Sequence, residues 1–204
     1  DYAHRNEDGS VARIPDSLTT VFHTAAGREV RDGGGVSPDI EVKQERLPNI
    51  LFYLVRDNLI FDYATDYCLK HPAIASAKEF ELTDADYEEF KNKVKGADFK
   101  YDQQSEKILN TLKEAAEFEG YMKDASDEFK ALENKLKHNL DRDLDYFSKD
   151  IKKMIAEEII KRYYYQEGAI IQQLKDDKDL DEAVKVLTNP ERYQQILSVT
   201  AVTA

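Results

Sequence analysis

Cysteine and tryptophan are nearly missing from this chain: Cys68 is the sole cysteine and there is no tryptophan. A single cysteine excludes an internal disulfide. It leaves the compartment open, because an oxidising one permits disulfides without requiring them. Long apolar runs are missing too. The apolar stretches are a few residues each, far short of the roughly 20 that a spanning helix needs, so no direct membrane insertion of this chain is expected. There is no cationic excess: 29 basic side chains face 41 acidic ones, for a net charge of −12. Contacts to phosphate need clustered Lys and Arg, which excludes nucleic acid as a partner and argues equally against adsorption to anionic lipid. Proline and glycine are scarce, at five and eight residues, and four of the eight glycines crowd into residues 22–42.

Charge and non-tryptophan aromatics are plentiful. Charged residues make up 34% of the chain, with 12 tyrosines and nine phenylalanines. A disordered chain would be poorer in aromatics, so a packed core is expected. With 204 residues there is room for one domain or two.

The glycine-rich segment reads as strand, turn, strand, loop and third strand. Thr19-Thr20-Val21-Phe22-His23-Thr24 is β-branched and aromatic, as a pleated surface favours. Ala25-Ala26-Gly27 is a short connection in which Gly27 is free to take positive φ. Glu29-Val30-Arg31 would return antiparallel, Gly33-Gly34-Gly35 would bend the loop, and Ile40 and Val42 alternate with charged neighbours as a half-buried strand does. A glycine triplet can also cradle phosphate. Here no Lys-Ser/Thr follows and no helix begins, so neither the P-loop nor the dinucleotide pattern is met.

Two runs within this segment carry a resemblance. Thr24-Ala25-Ala26-Gly27-Arg28 and Gly35-Val36-Ser37-Pro38-Asp39-Ile40-Glu41-Val42 resemble the Thr-Pro-Ser-Gly-Arg and Gly-Ile-x-Pro-Asp-Ile/Val-x-Val runs of the carboxyl-terminal processing peptidases, also called tail-specific proteases. The preceding residues 5–18 look like an insertion of the Bacteroidetes-type members. The likeness continues in Phe80-Glu81-Leu82-Thr83-Asp84 and in Arg162-Tyr163-Tyr164-Tyr165-Gln166-Glu167-Gly168. The departure is Ala25-Ala26 in place of Pro-Ser, and both pairs can occupy a turn. The resemblance implies an S41-type serine endopeptidase with a serine nucleophile and a lysine base, both upstream of the matched residues. It implies protein or peptide substrates and a bacterial periplasm or cell envelope, and it allows a homo-oligomer.

On that reading the chain is the C-terminal part only, has no catalytic residue of its own, and is expected to be inactive alone. The residues agree on their own terms. No Gly-x-Ser-x-Gly elbow is present. The Ser/Lys neighbours Ser76–Lys78, Ser105–Lys107 and Ser148–Lys149 stand one or two apart, which on a helix turns the side chains to different faces. Cys68 sits in an apolar helical pattern and reads as a small core residue rather than a nucleophile.

The remainder reads as helix. Pro48 suits a first turn, and a stripe of Ile50, Leu51, Leu54, Val55, Asn58, Leu59, Phe61, Asp62 and Tyr63 runs to a stop at His71-Pro72. Thr83 caps a second helix with Asp86 at N3 and a Leu82–Tyr87 staple; that helix holds Tyr87, Phe90 and Val94 on one face and stops at Gly96. A third helix over 104–122 would turn Ile108, Leu109, Leu112, Ala115, Ala116 and Phe118 inward. From Phe129 to Ile159, nine apolar positions recur with a mean step of 3.75 residues. A coiled coil would hold about 3.5. This predicts one amphipathic helix, or two with a break, presenting a core face rather than an oligomerisation seam. Three consecutive tyrosines, 163–165, cannot all face one way, so at least one is expected at the surface. Asp179, with Glu182 at N3, is expected to cap a short helix. Asn189-Pro190 would end it and begin another, in which Ile196-Leu197 docks.

Two acidic runs mimic the start of a calcium loop. Asp141, Asp143 and Asp145 are followed by Tyr146 and Lys152 at positions six and twelve, and Asp177, Asp179 and Asp181 by Glu182 and Thr188, so both miss the required Gly and Glu. They read as solvated faces or caps. His4, His23, His71 and His138 have no partner at zinc spacing. No metal and no cofactor are expected. The fold class that follows is mainly α: a multi-helix C-terminal domain over 46–204, preceded over 1–45 by strands left over from an α/β catalytic core. The competing functional reading is an independent helical interaction or dimerisation module.

Overall fold

The computed structural model describes residues 14, 16–32, 38–43 and 46–198. The Gly33-Gly34-Gly35 loop, most of residues 5–18 and the tail at 200–204 lie outside them. Two compact units are present, one drawn from 1–46 and 176–204 and the other from 47–175.

In the first unit, β1 (Val21–His23) pairs antiparallel with β2 (Glu29–Arg31), Phe22 opposite Val30. The turn between them closes where the Gly27 amide donates to the Thr24 carbonyl at 2.9 Å, with Gly27 at φ 81°, the left-handed region that glycine enters without strain. Arg28 reaches across to Asp39 in a two-pronged ion pair, so the two halves of the family-like pattern touch. Every residue of both strands is exposed, Phe22 by 54%. The third strand expected at Ile40 and Val42 does not form; residues 39–40 bend and 41–43 are irregular. A strand needs a ladder partner, and the sheet among the described residues has only two strands.

The same unit holds two of the nine α-helices among the described residues. Helix α8 (Lys178–Leu187) is capped by Asp177, whose carboxylate accepts from the Leu180 amide at 2.9 Å. The cap is therefore two residues earlier than Asp179, and Asp179 lies inside the first turn. Asn189 caps α9 (Pro190–Leu197) through the Arg192 amide, with Pro190 at its first turn as expected. Arg192 then reaches back to Glu182 at 2.6 Å and ties the pair. Ile196 is half-buried, while Leu197 stays 44% exposed.

In the second unit the expected first helix is two. Helix α1 (Asn49–Arg56) and α2 (Leu59–Lys70) are divided at Asn58, which takes φ 58°. The break turns Val55 and Phe61 out of the stripe, leaving both more than half exposed. Thr83 opens α3 (Asp84–Gly96) with a capping box: its hydroxyl oxygen accepts from the Asp86 amide at 3.1 Å, and the Asp86 carboxylate accepts from the Thr83 amide at 3.2 Å. The long apolar run is three helices. It divides into α5 (Met122–Leu136), α6 (Leu140–Tyr146) and α7 (Ser148–Gln173), with breaks at 137–139 and at Phe147. Asn139 caps α6 through the Arg142 amide, which sets the first break.

The core is built by α1, α2, α3, α6 and α7. Ile50, Leu54, Phe90, Val94, Leu144, Ile151, Ile155, Ile159 and Ile160 are fully buried, each such side chain contributing about 1.5–3 kcal/mol relative to an exposed one. Two phenols stitch it: Tyr63 donates to the Asp86 carbonyl and Tyr87 to the Leu144 carbonyl, both at 2.6 Å. Helix α7 is kinked at Tyr165, which sits at φ 54° and ψ −152°. Gly168 fills the crook of the kink, since a Cβ there would lie 2.4 Å from the Tyr164 Cβ. Before and beyond the kink, polar side chains hold the 71–83 connection. Tyr163 donates to the His71 carbonyl, Tyr164 to those of Ile74 and Ala75, and Gln172 and Lys175 both to Phe80. Of the three tyrosines, Tyr165 is the outward one, 79% exposed.

Candidate functional site

Helices α4 (Gln104–Phe118) and α5 form a hairpin that contributes no residue to the core. Its own interior is thin. Leu109 and Ala116 of α4 are buried, Met122, Phe129 and Leu136 of α5 are half-buried, and α5 has no fully buried residue. Lys113 and Glu133 bridge one flank at 2.7 Å. Of the residues expected to face inward, Ile108 is 58%, Leu112 51% and Phe118 95% exposed. The reason is geometric. A two-helix arm covers only the sector of each helix that meets its neighbour, and the α4 apolar sector is wider than that. Leu132 of α5 is likewise 41% exposed. Successive residues of an α-helix turn by about 100°, which places Ile108, Leu112 and Ala115 together on the flank away from Lys113.

Both roots of this arm converge on one carboxylate. Asp143, in α6, is 4% exposed. Its Oδ2 accepts from the Tyr101 hydroxyl at 2.6 Å and from Gln103 Nε2 at 3.0 Å, both just before α4. His138, just after α5, brings its Nε2 to 4.0 Å of the same oxygen, and its ring meets Tyr101 edge-on at 4.7 Å. Arg142 Nη1 donates to Oδ1 at 3.2 Å. Burial, and then the hydrogen bond to Asp143, hold the Tyr101 phenol well above its ordinary range. Asn49 adds a bond from α1 to the Asp102 carbonyl at 2.5 Å. A buried charge demands such donors, because an unpartnered one costs several kcal/mol.

This corrects the reading of the first acidic run as a solvated face. Asp143 is interior, whereas the exposed Asp141 and Asp145 pair with Lys95 at 2.5 Å and with the buried Lys91 at 2.7 Å, both of α3. The three carboxylates therefore serve three separate sets of partners. Only the chemistry of the spacing was visible in the sequence.

The other singled-out residues are dispersed. Ser76 donates to Glu79, and Lys107 pairs with Asp102 at 2.6 Å. Ser148 and Lys149 open α7. Cys68 is half-buried against the core; beside it, burial and then the contact with the thiol push the Tyr163 phenol up to about 12. His71 stacks on Tyr67 at 4.0 Å. A shallow cleft between α2 and α3 is lined by Tyr63, Asp66, Tyr67, Lys70, Glu89 and Lys93. Its charges are already matched, Lys70 to Glu89 at 3.0 Å and Lys93 to Asp66 at 2.5 Å. Among the described residues no helix is long and apolar enough to cross a membrane. The described residues offer surfaces for contact, the exposed flank of α4 first among them.

A family model described as the C-terminal helical domain of a probable PDZ-protease matches residues 50–187. The chain belongs to that family. Neither the curated proteins nor the solved structures yield a match.

Proposed function

We propose that this chain is the C-terminal region of a periplasmic carboxyl-terminal processing serine endopeptidase, whose Ser/Lys dyad lies in another part of the enzyme. In this reading residues 1–45 complete the sheet of the catalytic core. The helical domain supports that core, frames substrate access or mediates assembly. The observation that carries it is the family match to a protease C-terminal helical domain beginning at residue 50, directly after the peptidase-like pattern ending at Val42. Two facts support it. The ion pair between Arg28 and Asp39 joins the halves of that pattern. Every residue of strands β1 and β2 is exposed, as in strands whose sheet neighbours belong elsewhere.

A second reading, an independent helical interaction module, is favoured by the uncovered flank of α4. One assay separates them. Cleavage of an unstructured C-terminal peptide is measured with this chain, with the upstream serine-bearing part, and with the two mixed. The peptidase reading expects no cleavage by this chain alone and a gain on mixing. Cleavage by this chain alone sinks the assignment of the dyad to another part, and no gain on mixing favours the interaction module.

A further inference from the structure

We propose that the exposed flank of α4 is a self-association surface, and that its occupant is the same flank of a second copy of this chain. Going around the helix at about 100° per residue, Thr111, Gln104, Ala115, Ile108 and Leu112 fill one sector of about 100°. All five are exposed, Ile108 by 58% and Leu112 by 51%. None is charged, in a chain that is 34% charged and carries −12 overall. Copies of so acidic a chain repel one another over most of their surface, and an uncharged strip is where they can approach.

The border of the strip selects the partner. The first charges met beyond Thr111 are Lys107 and Glu114, a cation and an anion seven residues apart along the same edge. They are separated along the axis by about 10 Å, too far to pair with each other within one helix. A two-fold axis perpendicular to α4 and midway between them exchanges their positions, so each Lys107 faces the other copy's Glu114. That midpoint falls between Asn110 and Thr111, inside the strip formed by Ile108, Thr111 and Leu112. The apolar contact and the charge exchange therefore share one centre, which is the condition for an isologous interface. Lys107 also pairs with Asp102 of its own chain at 2.6 Å, and that pair lies at the exposed root of the arm. The Asp143 clasp holds both roots of the arm, so the flank is presented by an anchored element. This inference stands apart from the peptidase reading and survives its failure.

The test is the mass of the full chain in solution, by light scattering and sedimentation over a concentration series. The expected result is concentration-dependent growth towards twice the 23.5 kDa chain mass. Leu112→Glu and, separately, Ile108→Lys should each abolish the dimer with an unchanged helical circular-dichroism signal, while Leu187→Glu, on α8, should leave it intact. Lys107→Glu and Glu114→Lys should each weaken it at least several-fold, and the double swap should restore it. Thr111→Cys, in a Cys68→Ser background, should be captured between chains by a short bismaleimide, whereas Glu117→Cys, on the far face, should not. A wild-type chain that stays monomeric throughout, or a dimer that survives Leu112→Glu, overturns the proposal. So does a mass shift seen only when an unrelated protein is added.

Discussion

The core helices and the arm carry apolar stripes of the same period, yet they differ in what covers them. Ile151, Ile155 and Ile159 of α7 are fully buried because α7 is packed against α2 and α6 along that face. Ile108 and Leu112 of α4 recur at the same spacing and lie in the open, because α4 meets α5 and little else. Helical period tells which face of a helix is apolar. It does not tell how many neighbours that face will find, and the difference between the two regions is a difference in neighbours.

The largest effect that should distinguish them is in the core. Ile159→Ala is expected to cost about 2–5 kcal/mol in urea or thermal unfolding, through lost transfer energy plus the cavity left behind. A loss below about 0.5 kcal/mol would place Ile159 outside a close-packed interior and erase the contrast with the arm.

The joint between the regions comes next. Asp143→Ala leaves the Tyr101 hydroxyl and Gln103 amide without their acceptor, a loss expected to reach about 2–3 kcal/mol because the bonds are to a buried charge. Asp143→Asn, which keeps one acceptor, should lose less. Hydrogen exchange sharpens the point: in Asp143→Ala the amides of 99–103 and 137–139 should exchange faster than those of α7. Uniform acceleration would show that the carboxylate supports the whole fold rather than the seat of the arm.

Alkaline pH attacks the same side of the comparison. Tyr63, Tyr87 and Tyr101 are held above their ordinary value of 10.0, in each case chiefly by burial. A raised folded-state value means that the stability is fully present below pH 10.0 and is lost as pH rises through that value towards the folded one. All three belong to the core or the clasp. Stability should therefore be level through neutral pH and fall above pH 10.0, together with ultraviolet absorption of phenolate. Ionisation of these three without unfolding would contradict their burial.

A gain is expected at the kink. Tyr165 is 79% exposed and sits at φ 54°, a region that costs a non-glycine residue about 1–3 kcal/mol. Tyr165→Gly should relieve that strain and, after the added chain entropy, raise stability by about 1 kcal/mol. A loss instead would mean that the tyrosine ring contributes packing that its exposure does not suggest.

Much of the fold was legible and the reasons are local. Thr83 with Asp86, Asn189-Pro190, the Gly27 turn and the outward tyrosine are decided within a few residues, so the sequence carries them whole. The errors are of two kinds. The Asn58 and Phe147 breaks interrupt continuous apolar patterns without proline or glycine, and the tolerance of asparagine for the left-handed region at Asn58 is a weak signal beside the apolar stripe. The inward assignment of Ile108, Leu112 and Phe118 failed because coverage is a tertiary fact. The burial of Asp143 failed for the same reason: its partners Tyr101 and Gln103 lie about forty residues away in the chain, at 42 and 40. The third strand was read from its alternation, but alternation describes a surface and supplies no hydrogen-bonding neighbour.

The smallest effect is the most pointed. Leu112→Ala shortens a side chain that is 51% exposed on a helix, and alanine is the better helix former. In the monomer its effect on unfolding free energy should lie within about 0.5 kcal/mol, the range of ordinary surface changes. Measured at concentrations where copies associate, the same substitution should lower the melting temperature, because a partner that binds only the folded chain stabilises it by mass action. The melting temperature of the wild type should accordingly rise with protein concentration and that of Leu112→Ala should rise less. Raising the concentration then converts an arm residue with no structural cost into one with a measurable one, while Ile159→Ala remains costly at every concentration. If the two leucine measurements agree at all concentrations, the arm differs from the core only in being uncovered, and its apolar flank has no partner among copies of this chain.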